Sequence, residues 1–314
     1  MTKKIKLILS ILFLSFLVIS CASNQHAALG AQKAVLSKEN DRLFWKISST
    51  DKEGKPSYIY LQGTVHLGND RIFPLGENVL YQFDNADRVY AEISSEDILK
   101  VTRLTVRLMR ESFQRDGRLV TDSLSEKQNA VLAKYLNAIL IKKFNAFEPW
   151  LFTMNLASSI YSDYGVDEKH GVDVFFYDRA KKQARSVGGL DTLETQIDLI
   201  RYKDYETQLF LLKDILDNVD EGVEQFKALY EAYVQDDVEK LKTVLNDSKQ
   251  KDDEKNELYV EYHKKTLLDR NESWAKQITQ FLKDGGSTFI YVGAGHLIEG
   301  KTVFDFLREM GTIE

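Results

Sequence analysis

Cysteine is almost missing: Cys21 is the only one in 314 residues. A chain with one cysteine cannot close an internal disulfide or assemble a thiolate metal cluster. If that cysteine is consumed by lipidation, no thiol nucleophile remains either. An excess of basic charge is also missing, since 42 lysines and arginines stand against 48 acids for a net charge of −6. Such a balance argues against nucleic acid as a partner. The longest apolar run, Leu7 to Ile19, is shorter than the roughly 20 residues needed to cross a bilayer. Repeats of fixed period are absent, as is a Gly-x-Ser-x-Gly elbow.

What is present at the start reads as export machinery. Lys3, Lys4 and Lys6 precede the apolar run, which closes as Val18-Ile19-Ser20-Cys21, a lipobox ending. The expectation is a lipoprotein signal peptide over residues 1–20, palmitate-type lipidation at Cys21 and a tether over 21–42. The mature chain would then be exported and held to a membrane of the cell envelope, facing the periplasm or the surface. A folded domain is expected from 43 to 314.

Within it, Leu43–Ser49, Tyr58–Gly63, Arg88–Ile93, Ala184–Val187 and Thr288–Val292 are short, rich in β-branched and aromatic residues and bounded by turn formers. They read as strands. Between them apolar residues recur at three- and four-residue spacing, as at Ile98, Val101, Leu104 and Leu108, which predicts helices. Strands alternating with helices imply an α/β fold, a small mostly parallel β-sheet flanked by helices. The strand-free stretches 97–170 and 203–283 suggest a largely helical cap or insertion.

Imidazole is the side chain best suited to proton transfer or metal ligation near neutral pH, so the five histidines come first. His26 lies in the tether, His263 reads as an exposed helix residue, and His170 as an exposed loop residue. His66 and His296 differ, because each closes a Gly-x-x-His turn directly after a predicted strand. Glycine there is expected to supply backbone angles closed to other residues, turning the histidine over the sheet edge. Ligands of open α/β sheets collect beyond the carboxyl ends of strands. Glu92, ending an otherwise apolar strand, therefore joins the candidates, since a carboxylate buried there needs a partner. Asp191 follows the next strand end, where capping of the following helix is the favoured role, and Asp173 is expected to cap a helix over Val174–Lys182.

One rival pattern is Gly295-His296-Leu297-Ile298-Glu299-Gly300-Lys301-Thr302, which has phosphate-loop spacing. Glu299 would place a negative charge where phosphates must sit, which argues against it.

Several spaced motifs together resemble the TraB/PrgY/GumN group, distantly related to Tiki proteins and to the ChaN and erythromycin-esterase folds. They are Leu43-Phe44-Trp45-Lys46, Leu61 to Gly68, Pro74-Leu75, Ala91-Glu92-Ile93, Glu148-Pro149-Trp150, Gly171-Val172-Asp173, Leu190-Asp191-Thr192 with Gln196, Arg270-Asn271 with Trp274, and Val292 to Leu297. The resemblance implies an active centre at His66, Glu92 and His296, with Arg270 holding a substrate carboxylate or an oxyanion. It also implies a final strand that this chain, ending soon after Gly311, has shortened or lost. Two histidines and a carboxylate suit a divalent transition metal such as Mn, Co or Zn, which would acidify a bound water. The leading expectation is thus a metal-dependent, peptidase-like hydrolase acting on a peptide or small molecule. Two alternatives stay open: a non-catalytic envelope protein binding a peptide signal, metal or haem, and a metal-free esterase-like enzyme with His66 as base.

Overall fold

The computed structural model describes residues 33–314 apart from Asn256, so the expected leader and Cys21 lie outside the described residues. Six strands form one sheet: β1 (Val35–Lys38), β2 (Phe44–Thr50), β3 (Pro56–Thr64), β4 (Arg88–Ala91), β5 (Gly188–Gly189) and β6 (Gly286–Gly293). Their order is β1-β2-β3-β6-β4-β5. β1, β2 and β3 pair antiparallel, whereas β3, β6, β4 and β5 run parallel. The fold is α/β, with a parallel core and an antiparallel flank.

Chemistry explains the layering. In β6 Phe289, Ile290, Tyr291 and Val292 are all buried, the continuous apolar run expected of a strand covered on both faces. Phe289 packs edge-on to Phe83 of the helix Glu77–Asn85 and against Phe176 of the helix Val172–Lys182. On the other face, Tyr90 meets Phe281 of the helix Asp269–Asp284, and Trp45 meets Phe304 of the helix Val303–Glu309. Two helical layers thus enclose the sheet.

A second apolar cluster lies among helices alone. It joins Leu108, Phe144, Trp150, Phe152 and Leu156 to Leu209, Leu212 and Leu216. The stretch expected to insert over 203–283 is divided by this arrangement, because Phe226, Leu229, Tyr233, Leu241 and Trp274 belong to the sheet core instead. Helical periodicity located the helices but could not say which core each would join.

Two strand assignments need correction. Residues 35–38, assigned to the tether, form edge strand β1, and Ala34 just before it makes a parallel bridge to Ile313. This strand was hidden because it is short and mostly exposed, with Val35 in solvent and only Leu36 packing against the core. The strand expected over Ala184–Val187 lies instead at Gly188–Gly189, since Ala184 has a φ of 52° and closes the preceding helix. A side chain at Gly188 would bring its Cβ within 2.4 Å of the Tyr90 ring, so bulk is excluded where β5 meets β4. Propensity therefore pointed to the wrong four residues.

Among the described residues, no helix is long and apolar enough to cross a membrane. The phosphate-loop pattern does not form a loop of that kind: Gly295–Ile298 is helical, Glu299 is buried, and Thr302 caps the final helix.

Candidate functional site

Each of the four parallel strands delivers one residue beyond its carboxyl end: His66 after β3, His296 after β6, Glu92 after β4 and Asp191 after β5. Thr64 and Gly293 are register partners, and the Ala294 N–H donates to the Thr64 carbonyl at 2.9 Å. The two Gly-x-x-His turns are therefore stitched side by side. Their glycines are needed for closeness rather than for unusual backbone angles, since neither Gly63 nor Gly293 has a positive φ. A Cβ on Gly63 would sit 3.1 Å from the Leu43 Cβ, and one on Gly293 would sit 3.3 Å from Glu92 Oε1.

Arg270 is the hub. Its Nε donates to Asp191 Oδ2 at 2.8 Å and its Nη2 to Glu92 Oε2 at 2.5 Å. Its Nη1 donates to the Thr266 carbonyl at 2.9 Å and to His296 Nε2 at 3.0 Å. The guanidinium lies over the Trp274 ring, 4.6 Å from its centre. Arginine has five N–H donors, and four of them are committed here. The expectation that Arg270 holds a substrate carboxylate meets this obstacle, for its charge already faces two carboxylates.

Glu92 is held just as firmly. Its Oε1 accepts from the Gly293 N–H at 2.8 Å. Burial works to raise its pKa, but the Arg270 charge, with His296, His66 and the Gly293 N–H, outweighs this and holds it at about 2. The strand-end carboxylate is therefore ionised and partnered on both oxygens.

His296 is locked in one tautomer. The Asn271 Nδ2 donates to the Lys301 carbonyl at 2.9 Å, which turns its Oδ1 towards His296 Nδ1 at 2.6 Å. Nδ1 thus carries the proton, and Nε2 accepts from Arg270. Burial and the adjacent guanidinium both push its pKa well below the imidazole value. At neutral pH this ring is uncharged and fully bonded.

His66 stands apart from this network. Its Nδ1 lies 3.2 Å from Asp173 Oδ1, with both side chains buried. The pair is an ion-pair contact without hydrogen-bond alignment, and neither ring nitrogen nor either Asp173 oxygen has an aligned partner among the described residues. Burial alone would lower the His66 pKa, but the Asp173 carboxylate, aided by Glu92, more than reverses this and raises it above 6.5. Gly171 permits the approach, since a Cβ there would stand 2.6 Å from the His66 carbonyl oxygen.

Three expectations change here. Asp173 does not cap its helix: Gly171 occupies the cap position, and Asp173 turns inward to His66. Asp191 is not a cap either, because Thr192 takes that role while Asp191 accepts from Arg270, from Trp274 Nε1 at 2.8 Å and from Gln196 Nε2 at 2.8 Å. His263 is fully buried, with Nε2 3.1 Å from Glu299 Oε1, at the start of the π-helical turn Lys264–Leu268. The lysines that follow it suggested a solvated face, but His263 lies one turn after Tyr259 on the buried face of the helix Glu257–His263. His170 keeps its expected place, with its side chain 40% exposed.

A cavity of about 60 Å³ opens against this cluster, bordered by His66, Glu92 and His296. As arranged, the three do not fit a metal. Glu92 Oε2 and His296 Nε2 already accept N–H bonds from one guanidinium, which leaves His66 Nε2 as the uncommitted donor atom. Among the described residues no group of three or more His, Cys, Asp or Glu is disposed to hold an ion.

Sequence reasoning had located His66, Glu92, His296 and Arg270, and the fold brings them together. It missed Asp173 as the partner of His66, Asn271 as the tautomer lock and the buried His263–Glu299 pair. Asn271 was visible only as a member of the resemblance motifs, and Asp173 only there and as an expected helix cap.

No solved structure matches the chain. It is 26% identical over 312 residues to an uncharacterized protein of Treponema pallidum (strain Nichols), an alignment covering 96% of this chain and 90% of that one. The TraB/PrgY/gumN family model matches residues 43–313, and the chain belongs to that family.

Proposed function

We propose that the chain is a hydrolase in which His66 is the base that activates water. The observation that carries this reading is the buried His66–Asp173 pair, in which Nδ1 faces Asp173 Oδ1 at 3.2 Å and leaves Nε2 as a buried, uncommitted atom of a cavity-lining residue. Each such atom costs about 1–3 kcal/mol, so proteins keep few without a use for them. A base at a cavity wall supplies that use.

In this reading His66 Nε2 takes a proton from water as its oxygen adds to the carbonyl carbon of an ester or peptide bond. Asp173 stabilises the imidazolium that forms, and the ring then returns the proton to the departing oxygen or nitrogen. Glu92 and His296 border the cavity, and Arg270 behind them is a positioning residue that fixes both.

Hydrolysis of neutral p-nitrophenyl esters and of a peptide pool by the purified protein tests this. A loss of about 10²–10⁴-fold in His66→Gln, with activity unchanged by chelation, supports it. A metal-dependent form of the reaction, with manganese, cobalt or zinc on His66, Glu92 and His296, requires Arg270 to withdraw from two of the three. Stoichiometric metal together with activity lost on chelation would favour that form. Binding of peptide or haem without turnover would favour a non-catalytic envelope role.

We also propose export and lipid anchoring through Cys21, on the strength of the lipobox at residues 18–21. Labelled palmitate should enter the native chain and not Cys21→Ser. Labelling of both would overturn this proposal.

A further inference from the structure

The cavity that His66 faces is apolar away from the reacting residues. Leu229, Leu241, Leu245, Leu267 and Ile298 line it, and Tyr233 presents only its ring, because its hydroxyl donates to the Gly63 carbonyl at 3.0 Å. Among the described residues no lysine or arginine lines it. The nearest guanidinium, Arg270, faces two carboxylates, Glu92 and Asp191. An anionic ligand would meet surplus negative charge in a low-dielectric space. A neutral aliphatic group would exchange water for leucine contacts. With room for one water in roughly 10–15 Å³ of such volume, a cavity of about 60 Å³ accepts on the order of four or five heavy atoms.

We propose that this cavity selects neutral carboxylic esters or amides carrying a short aliphatic group of about four or five carbons, seated against Leu229, Leu241, Leu245 and Leu267, and that it rejects groups bearing a carboxylate. The assignment rests on the hydrolase reading for the bond that is cut, but the selection itself is a property of binding. It is tested on the whole protein with ligands that need not turn over: acetamide, pentanamide, dodecanamide and glutaramate, titrated by NMR or calorimetry.

Each buried methylene tightens binding about fourfold, so pentanamide is expected to bind roughly 50-fold tighter than acetamide. Dodecanamide should gain nothing beyond pentanamide, and glutaramate should bind at least tenfold more weakly than pentanamide. In Leu245→Lys the pentanamide advantage should shrink and glutaramate should gain. Equal affinities for acetamide and pentanamide, or glutaramate binding as tightly as pentanamide, would overturn the inference whether or not that variant folds. Selective binding without hydrolysis of the matching p-nitrophenyl pentanoate overturns the hydrolase reading and leaves the cavity assignment standing. Hydrolysis that depends on His66 but ignores chain length does the reverse.

Discussion

The two Gly-x-x-His turns begin alike and end differently. Both follow parallel strands, both pack through a glycine at which a Cβ would crowd its neighbour, and a backbone hydrogen bond joins them. Yet His296 is neutral with both nitrogens bonded, whereas His66 is paired with a carboxylate and holds no aligned hydrogen bond. The difference comes from distant chain segments. The helix Asp269–Asp284 brings Arg270 and Asn271 to one ring, and the helix Val172–Lys182 brings Asp173 to the other. A shared local motif thus sets position, and tertiary partners set protonation.

Five substitutions sharpen that contrast. The largest effect on stability belongs to Arg270→Leu, which strands Glu92 and Asp191 as buried charges. Urea denaturation should register a loss of about 3–5 kcal/mol, and a loss below 1 kcal/mol would mean the guanidinium is not the hub.

Glu92 gives the next effect, through pH. Its folded-state pKa of about 2 lies below its ordinary 4.5, so its contribution is fully present above pH 4.5 and fades as pH falls through 2. The loss should be on the order of 3 kcal/mol in the native chain. Acid denaturation of Glu92→Gln should lack that component.

The third comparison sets one histidine against the other. His296→Ala leaves Arg270 Nη1 and Asn271 Oδ1 buried without their partner, at about 2–3 kcal/mol. His66→Gln leaves the buried Asp173 without its charged partner, so it also destabilises, but it alone should lower turnover by about 10²–10⁴-fold at the chemical step. Full turnover in His66→Gln would erase the division of labour.

The smallest change is expected of Asp173→Asn. With the carboxylate gone, burial dominates and the His66 pKa falls, so the acid limb of the rate profile moves to lower pH. An unmoved limb would detach Asp173 from His66.

How much of this was legible beforehand follows from the physics of each feature. The parallel strands announced themselves through apolar runs such as Phe289 to Val292, and their carboxyl ends exposed His66, Glu92 and His296 as candidates. Their partners could not be read. Asp173 and Asp191 each sit where a helix begins, and an acidic residue there is indistinguishable from a cap until the fold shows Gly171 and Thr192 in that role. His263 was misjudged because Lys264 and Lys265 beside it pointed to solvent, whereas its own face is the one Tyr259 buries. β1 escaped because an exposed edge strand carries little apolar signal.

The central claim is that His296 is a locked neutral acceptor and His66 a titrating base. Nitrogen-edited NMR of the imidazoles across pH 4 to 9 tests it most directly and needs no substrate. His296 should remain the Nδ1–H tautomer far below pH 6.5, while His66 titrates with a midpoint above 6.5. Two rings titrating together near the ordinary value, or a charged His296 at neutral pH, would contradict the account.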